Sequence, residues 1–336
     1  MRKILLPFSL IYGAITFLRN LLYSKEYLAV YQAPIKTIAI GNLNTGGTGK
    51  TPMTEFLLKY LHYNSAVVIS RGYGRKTKGL LVVDQEGSAA DYGDEALQIA
   101  QKFPEVKVIV AEKRKLALEA AKEYKPDLAL LDDAYQHLSV KADTYILLTA
   151  YHDLFSNDFI LPAGNLRESR NGAKRSQAIV VTKCPANISS QEKEKIKRSI
   201  SAYSDSPIYF SSLKYKTLTN PFGAYLKNSK AILFSGIAYP KYMAEHLNTL
   251  VKLVDKHQFK DHHSFTNNDL STLLAQAEKE ESALVCSEKD FVKIASLGLE
   301  QEELKNIYIL RVEHFFLNED KEHFLGQLSS IISERK

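Results

Sequence analysis

Ile40-Gly41-Asn42-Leu43-Asn44-Thr45-Gly46-Gly47-Thr48-Gly49-Lys50-Thr51-Pro52 is the stretch on which the fold turns. An apolar strand pattern, Thr37–Ile40, runs into a glycine-rich loop, and Lys50-Thr51 opens a helical pattern that continues to His62. Glycines allow successive backbone N–H groups to curl around phosphate oxygens, and the helix N-terminus adds a partial positive charge. The Lys50 ammonium is the group that reaches β- and γ-phosphates, and the Thr51 hydroxyl is a ligand for Mg²⁺. Pro52 is tolerated because first-turn N–H groups have no partner inside the helix. Against the pattern G-x-x-x-x-G-K-[ST], Asn44 replaces the first glycine. Gly46 and Gly47 keep the loop flexible and Asn accepts positive φ, so Asn44, Thr45, Gly46, Gly47, Thr48, Gly49, Lys50 and Thr51 are expected to close around a nucleotide. A variant loop of dimeric membrane-associated ATPases carries Lys just before Gly-Gly; Thr45 stands there instead, against that class.

Such a loop needs a nearby strand ending in an acid, and Leu128-Ala129-Leu130-Leu131-Asp132-Asp133 supplies one. One carboxylate would hold Mg²⁺ directly or through water, the other would polarise the cluster; Gln136 and His137 follow at once. Further strand patterns lie at Ala66–Ser70, Val106–Val110, Tyr145–Thr149 and Ala178–Thr182, with helical patterns at Asp94–Phe103 and Glu112–Tyr124. Strands apolar throughout and separated by helices predict an α/β fold, a mainly parallel sheet sandwiched by helices as in P-loop NTPases. Gly72-Tyr73-Gly74-Arg75-Lys76-Thr77 is no dinucleotide fingerprint, since the third glycine is missing. A second series, Ala231–Ser235, Ala283–Cys286 and Ile307–Leu310, predicts a smaller α/β domain.

The 336 residues correspond to about two domains at roughly 150 residues each. The Ser-, Pro-, Asn- and Tyr-rich segment 204–230 marks the expected boundary. The expected division is therefore an N-terminal segment 1–30, a nucleotide-binding domain 31–215 and a C-terminal domain 216–336. The chain is 45% hydrophobic and 24% charged, which excludes disorder as the dominant state. Two cysteines, Cys184 and Cys286, exclude a disulfide scaffold and a Cys-rich zinc module and suit a reducing compartment. The net charge of +6 admits anionic partners without requiring nucleic acid. Residues 1–23 are apolar from Ile4 to Leu18 except at Ser9, Tyr12, Gly13 and Thr16, and Arg19 and Asn20 stop the run short of the about 20 residues that span a bilayer. The segment reads as an amphipathic helix in a membrane interface, with Arg2, Lys3, Arg19 and Lys25 near anionic headgroups; a helix docked on the core is the competing reading.

A phosphate loop names a nucleotide, not an acceptor. Guanine recognition usually uses N-K-x-D; Thr182-Lys183-Cys184-Pro185 has the Lys and lacks the Asp, which favours ATP. In order, GNLNTGGTGKTP, SRGYGR, GDE, LDDAYQH, LPAGNLRE, VVTK, DHHSF and SEKDFVK resemble the tetraacyldisaccharide 4′-kinase (lipid A 4′-kinase) family over nearly the whole chain. Ala134-Tyr135 stands where that family often has Gly-Leu, and Asn165 where Pro is common. The resemblance implies two α/β domains with a nucleotide between them. It implies transfer of the ATP γ-phosphate, with Mg²⁺, to the 4′-hydroxyl of an acylated glucosamine disaccharide 1-phosphate, giving lipid IVA. The place implied is the cytoplasmic face of the bacterial inner membrane, with the protein peripheral or monotopic, and nucleic acid is not a partner. By the same resemblance Asp94 is the base and His262 its partner. The two are 168 positions apart, so a pair of them is expected to require the two domains to meet. Lys50 joins them as a catalytic group, Thr51, Asp132 and Asp133 are the metal ligands, and Arg71, Arg75, Arg167, Glu168 and Gln136 are the substrate-binding candidates, the arginines suiting phosphates through bidentate contacts. Ser287-Glu288-Lys289-Asp290 recurs in the family and reads as a helix cap at Ser287. A regulatory P-loop ATPase held on a membrane by its N-terminal helix is the alternative function.

Overall fold

The computed structural model describes residues 2–333 except 228 and 239. The side chains of Arg2, Lys3 and Ser333 lie outside the described set, and with them the expected headgroup contacts of Arg2 and Lys3. The strands used below are, in chain order, β1 (Lys36–Asn42), β2 (Ala66–Ser70), β3 (Lys107–Val110), β4 (Leu128–Leu131), β5 (Thr144–Ala150), β6 (Ala178–Thr182), β7 (Ile208–Tyr215), β8 (Lys230–Ser235), β9 (Lys252–Gln258), β10 (Ala283–Ser287), β11 (Ile307–Leu310) and β12 (Val312–Phe316). The helices are α1 (Leu6–Ser24), α2 (Lys50–Tyr60), α3 (Asp94–Lys102), α4 (Arg114–Ala121) and α5 (Glu288–Ala295).

The chain divides into two compact units. The larger holds residues 1–71, 105–213 and 314–336, and the smaller holds 72–104 and 214–313. The larger unit's sheet runs β12-β7-β6-β5-β1-β4-β2-β3, and the pairs from β7 to β3 are parallel. Strands β2, β4 and β6 are buried at every position, as strands covered on both faces must be. Ala39, Val67, Ile69, Ile109, Ala129 and Leu131 pack on one side with Leu118 of α4. Leu147, Ile179, Val181 and Phe210 continue the same face across β5, β6 and β7 and pack there with Leu43 and Tyr135, and Tyr145 touches both groups. The chain leaves β1 for β2 and β3, returns to β4 beside β1, then crosses to β5 on the other flank. This reversal opens a crevice at the carboxyl end of β1, where open α/β sheets bind ligands.

The smaller unit's sheet, β9-β8-β10-β11, is parallel throughout. α3 packs on α5, secured by Lys102–Glu288 at 2.9 Å and Lys289–Glu95 at 3.0 Å.

Two differences from the sequence reading concern the division of the chain. Segment 204–230 is not a plain linker, because β7 occupies 208–215 and lies parallel to β6. The units are also discontinuous: 72–104 belongs with the C-terminal sheet because α3 carries its charges and apolar face to α5, and 314–336 returns to the larger unit. A single cut after residue 215 does not describe this.

Candidate functional site

The larger unit places the phosphate loop between β1 and α2. Asn44 is fully buried and extended, bridged to Leu166. It does not take the positive φ anticipated for it; Gly46 (φ 130°) and Gly49 (φ 86°) make the turn instead, and Gly49 caps α2. Beside the loop, β4 ends in register with β1, Leu131 opposite Ala39, which sets Asp132 and Asp133 next to Lys50. Asp133 has φ 44°, a conformation that non-glycine residues keep only when their surroundings enforce it. Its carboxylate lies 3.7 Å from the Lys50 ammonium and accepts from Arg167 Nη1 at 3.1 Å. Burial alone would raise the Asp133 pKa, but the charges of Lys50 and Arg167 outweigh it and hold the group below the ordinary carboxylate range. Behind Asp132, the buried Arg114 donates to its carbonyl at 2.9 Å. Burial and that guanidinium push His137 down to about 4, so the ring is neutral.

Among the described residues no group of three or more His, Cys, Asp and Glu could hold a metal ion. Thr51, Asp132 and Asp133 form instead a sparse oxygen set at the loop, the kind that Mg²⁺ completes with phosphate oxygens and water. The donor chemistry fits.

The proposed substrate ligands separate into distinct roles. Arg167 is part-exposed beside the loop, steadied by Gln136, whose Oε1 accepts from it at 3.2 Å while Nε2 donates to the Asn42 carbonyl at 2.8 Å. Arg71 is exposed at the carboxyl end of β2. Arg75, in the smaller unit, folds back on its own loop and donates to the Gly79 carbonyl at 2.6 Å. Glu168 is a correction. Its side chain is fully buried, and its oxygens accept from Arg175 at 2.7 and 3.0 Å, Asn20 at 2.7 Å and Gln136 at 3.1 Å. A carboxylate so saturated braces the scaffold and has no face for a substrate.

In the smaller unit His262 and Asp94 do meet: Nδ1 lies 3.1 Å from Asp94 Oδ2. The expectation that this pair needs both domains is therefore replaced, since 72–104 and 214–313 form one unit. Asp94 opens α3 and is 5% exposed. His262 sits at φ 58°, its ring 4.7 Å from that of Tyr73. Lys289 Nζ lies 3.6 Å from Asp94 Oδ2 and 3.4 Å from His262 Nε2, and Lys293 Nζ 4.0 Å from Asp94. A carboxylate only accepts and an ammonium only donates. Nδ1 is therefore the donor to the ionised Asp94, while Nε2 faces the Lys289 ammonium. Burial alone would raise the Asp94 pKa; the His262 hydrogen bond and the Lys289 and Lys293 charges reverse this and hold it below the usual value. The two lysines were missed in the sequence, although the Ser287–Asp290 motif was the signal. Ser287 does cap α5, accepting from Asp290 N at 3.1 Å, and this cap aims the first turn's Lys289 at Asp94.

A sequence model of the tetraacyldisaccharide-1-P 4′-kinase family, LpxK, matches residues 1–332. A tetraacyldisaccharide 4′-kinase of Flavobacterium psychrophilum is 39% identical over 96% of this chain and 94% of its own length. That of Cytophaga hutchinsonii is 37% identical over 100% and 97%. Among solved structures, LpxK from Aquifex aeolicus in complex with ATP superposes with a TM-score of 0.76 at 29% identity, over 98% of this chain and 99% of that one. A match of this length, with the phosphate loop and the Asp94–His262 pair both formed, makes the chain a member of the tetraacyldisaccharide 4′-kinase family.

Proposed function

We propose that this kinase, which uses ATP in lipid A biosynthesis, divides its chemistry between two residue sets. The larger unit's share is the nucleotide. Residues 44–51 cradle the phosphates of ATP, with the Lys50 ammonium on the transferring group and Arg167 neutralising charge beside it. Thr51, Asp132 and Asp133 would hold Mg²⁺, whose charge would offset that developing on the transferring phosphate. The smaller unit's share is the proton. Asp94, ionised at neutral pH, accepts it from the 4′-hydroxyl of the tetraacyldisaccharide 1-phosphate as that oxygen attacks the γ-phosphorus. His262 holds the carboxylate in place through Nδ1, and Lys289 holds the imidazole. The observation that carries this reading is the 3.1 Å Asp94–His262 contact: a buried carboxylate oriented by a histidine Nδ1 is placed to take a proton from an alcohol.

The N-terminal helix supports a membrane surface as the working place. Its polar and small residues face the protein: Ser9 Oγ donates to the Ile160 carbonyl at 2.9 Å and accepts from Ala163 N, and Tyr12 Oη donates to the Arg167 carbonyl at 3.1 Å. The interruptions in the apolar run are thus its docking stripe. Phe8, Leu10, Ile11, Ile15, Phe17 and Leu18 are exposed by 55–74% on the rest of the helix. No helix among the described residues is long and apolar enough to cross a membrane. A docked helix with an outward apolar face suits insertion into the cytoplasmic leaflet of the inner membrane, where an acylated acceptor resides.

With γ-labelled ATP, the reading predicts label in a chloroform-soluble glycolipid. A regulatory ATPase, the reading that family membership disfavours, would release the label only as inorganic phosphate.

A further inference from the structure

Three consecutive carbonyls of the phosphate loop are held from outside it, and the nucleotide-binding role assigned above does not account for the side chains that hold them. The Gly47 carbonyl accepts from Lys183 Nζ at 2.5 Å and the Thr48 carbonyl from Thr182 Oγ1 at 2.8 Å. The Gly49 carbonyl lies 3.0 Å from His314 Nε2. Thr182 and Lys183 come from the end of β6, and His314 from β12, at the far edge of the larger unit's sheet order.

His314 is 5% exposed, and its Nδ1 lies 3.1 Å from Ser211 Oγ on β7. A carbonyl only accepts, so Nε2 carries the hydrogen and Nδ1 accepts from the serine hydroxyl. Burial pushes the ring down to about 4, which keeps it in this neutral, single-donor form. The fit is close: a Cβ on Gly49 would stand 3.1 Å from His314 Nε2.

In a trans peptide the carbonyl and the following N–H point in opposite directions. Fixing the Thr48 and Gly49 carbonyls outward therefore fixes the N–H groups of Gly49 and Lys50 toward the inside of the loop. Gly49 is also the cap of α2, where its carbonyl accepts the Met53 N–H at 3.1 Å. We propose that His314, with Thr182 and Lys183, is a positioning residue that clamps the carbonyl side of the phosphate loop and so presets its N–H groups for the triphosphate of ATP. The inference rests on the kinase reading and adds residues that act through the loop's carbonyls.

The test is ATP binding by calorimetry and steady-state kinetics on the full chain, with wild type, His314→Ala, His314→Gln and Thr182→Val. The loss of one neutral hydrogen bond corresponds to roughly three- to tenfold. His314→Ala and Thr182→Val are expected to raise the ATP Kd and KM by that factor and leave the lipid KM unchanged. His314→Gln, whose amide can donate to the Gly49 carbonyl, should restore most of the affinity. Wild-type ATP affinity in folded His314→Ala, or equal losses in the Ala and Gln variants, would overturn the clamp. Should His314→Ala fail to fold, Ser211→Ala removes only the hydroxyl that sets the tautomer; a raised ATP KM supports the clamp, and an unchanged one overturns it. Absence of ATP binding by the wild type would instead overturn the nucleotide reading beneath it.

Discussion

The Asp94–His262 pair makes a quantitative prediction. Asp94→Asn keeps the shape of the side chain and removes its basicity, and loss of a general base costs about 10²- to 10⁴-fold in kcat. His262→Ala removes the ring that donates to Asp94 Oδ2 at 3.1 Å. A hydrogen bond to a charged group is worth about 1.5–3 kcal/mol, or roughly 10- to 150-fold in rate when all of it is expressed in the transition state. The His262 side chain is 27% exposed, which places the expected loss in the lower half of that range. Because His262 acts through Asp94, its removal should cost little once the base is gone. The double variant should therefore turn over at about the rate of Asp94→Asn alone, with a coupling free energy close to the His262→Ala effect itself. The assay is transfer of labelled γ-phosphate to the glycolipid at saturating ATP and neutral pH, where Asp94, held below the usual carboxylate range, stays ionised. Losses that multiply, so that the double variant falls by the product of the two single factors, would refute the pair as one unit.

Lys289→Met removes an ammonium 3.6 Å from Asp94 and leaves Glu95 without its 3.0 Å partner. Both changes raise the Asp94 pKa, and the base works only when ionised, so the acid limb of the kcat/KM profile should move to higher pH; an unmoved limb would contradict the assigned role. Glu168→Ala strands the Arg175 guanidinium, whose side chain is 26% exposed. Breaking a buried pair costs about 3–5 kcal/mol; with the partial exposure of Arg175 the lower end applies, and thermal unfolding should show a clear fall in Tm, with Glu168→Gln milder. Deleting residues 1–24 should shift the protein to the soluble fraction and raise the lipid KM more than the ATP KM, since each apolar side chain fully buried in a bilayer contributes about 1.5–3 kcal/mol. Loss of folding on deletion would mark the helix as a core element instead.

The phosphate loop and Asp132-Asp133 were legible because each is a short contiguous motif at the end of an apolar strand, and the parallel α/β sheet was legible for the same reason. β7 and β12 were not. Ile208–Tyr215 carries Ser211, Ser212 and Lys214, and Val312–Phe316 carries Glu313 and His314, so neither shows the uniform apolar run of the central strands. The placement of 72–104 was hidden because pairs such as Lys102–Glu288, 186 positions apart, leave no local pattern. His262 came only from the family resemblance, and the convergence of Lys289 and Lys293 on Asp94 is a tertiary fact that the cap at Ser287 merely hinted at. Glu168 was misassigned because Arg-Glu next to a phosphate site suggests ligand contact, whereas burial turns the Glu inward and leaves the Arg outside. The polar interruptions of α1 were seen as breaks in an apolar run; three-dimensional spacing makes them one docking stripe.

The central claim is transfer of the ATP γ-phosphate to one sugar hydroxyl. It is tested most directly by phosphorus NMR of the lipid recovered after incubation with ATP, Mg²⁺ and tetraacyldisaccharide 1-phosphate in vesicles, with ADP counted in the same reaction. The account predicts one new phosphomonoester, at the 4′ position, for each ADP formed. ADP accumulating with no new ester, or an ester at another hydroxyl, would contradict it.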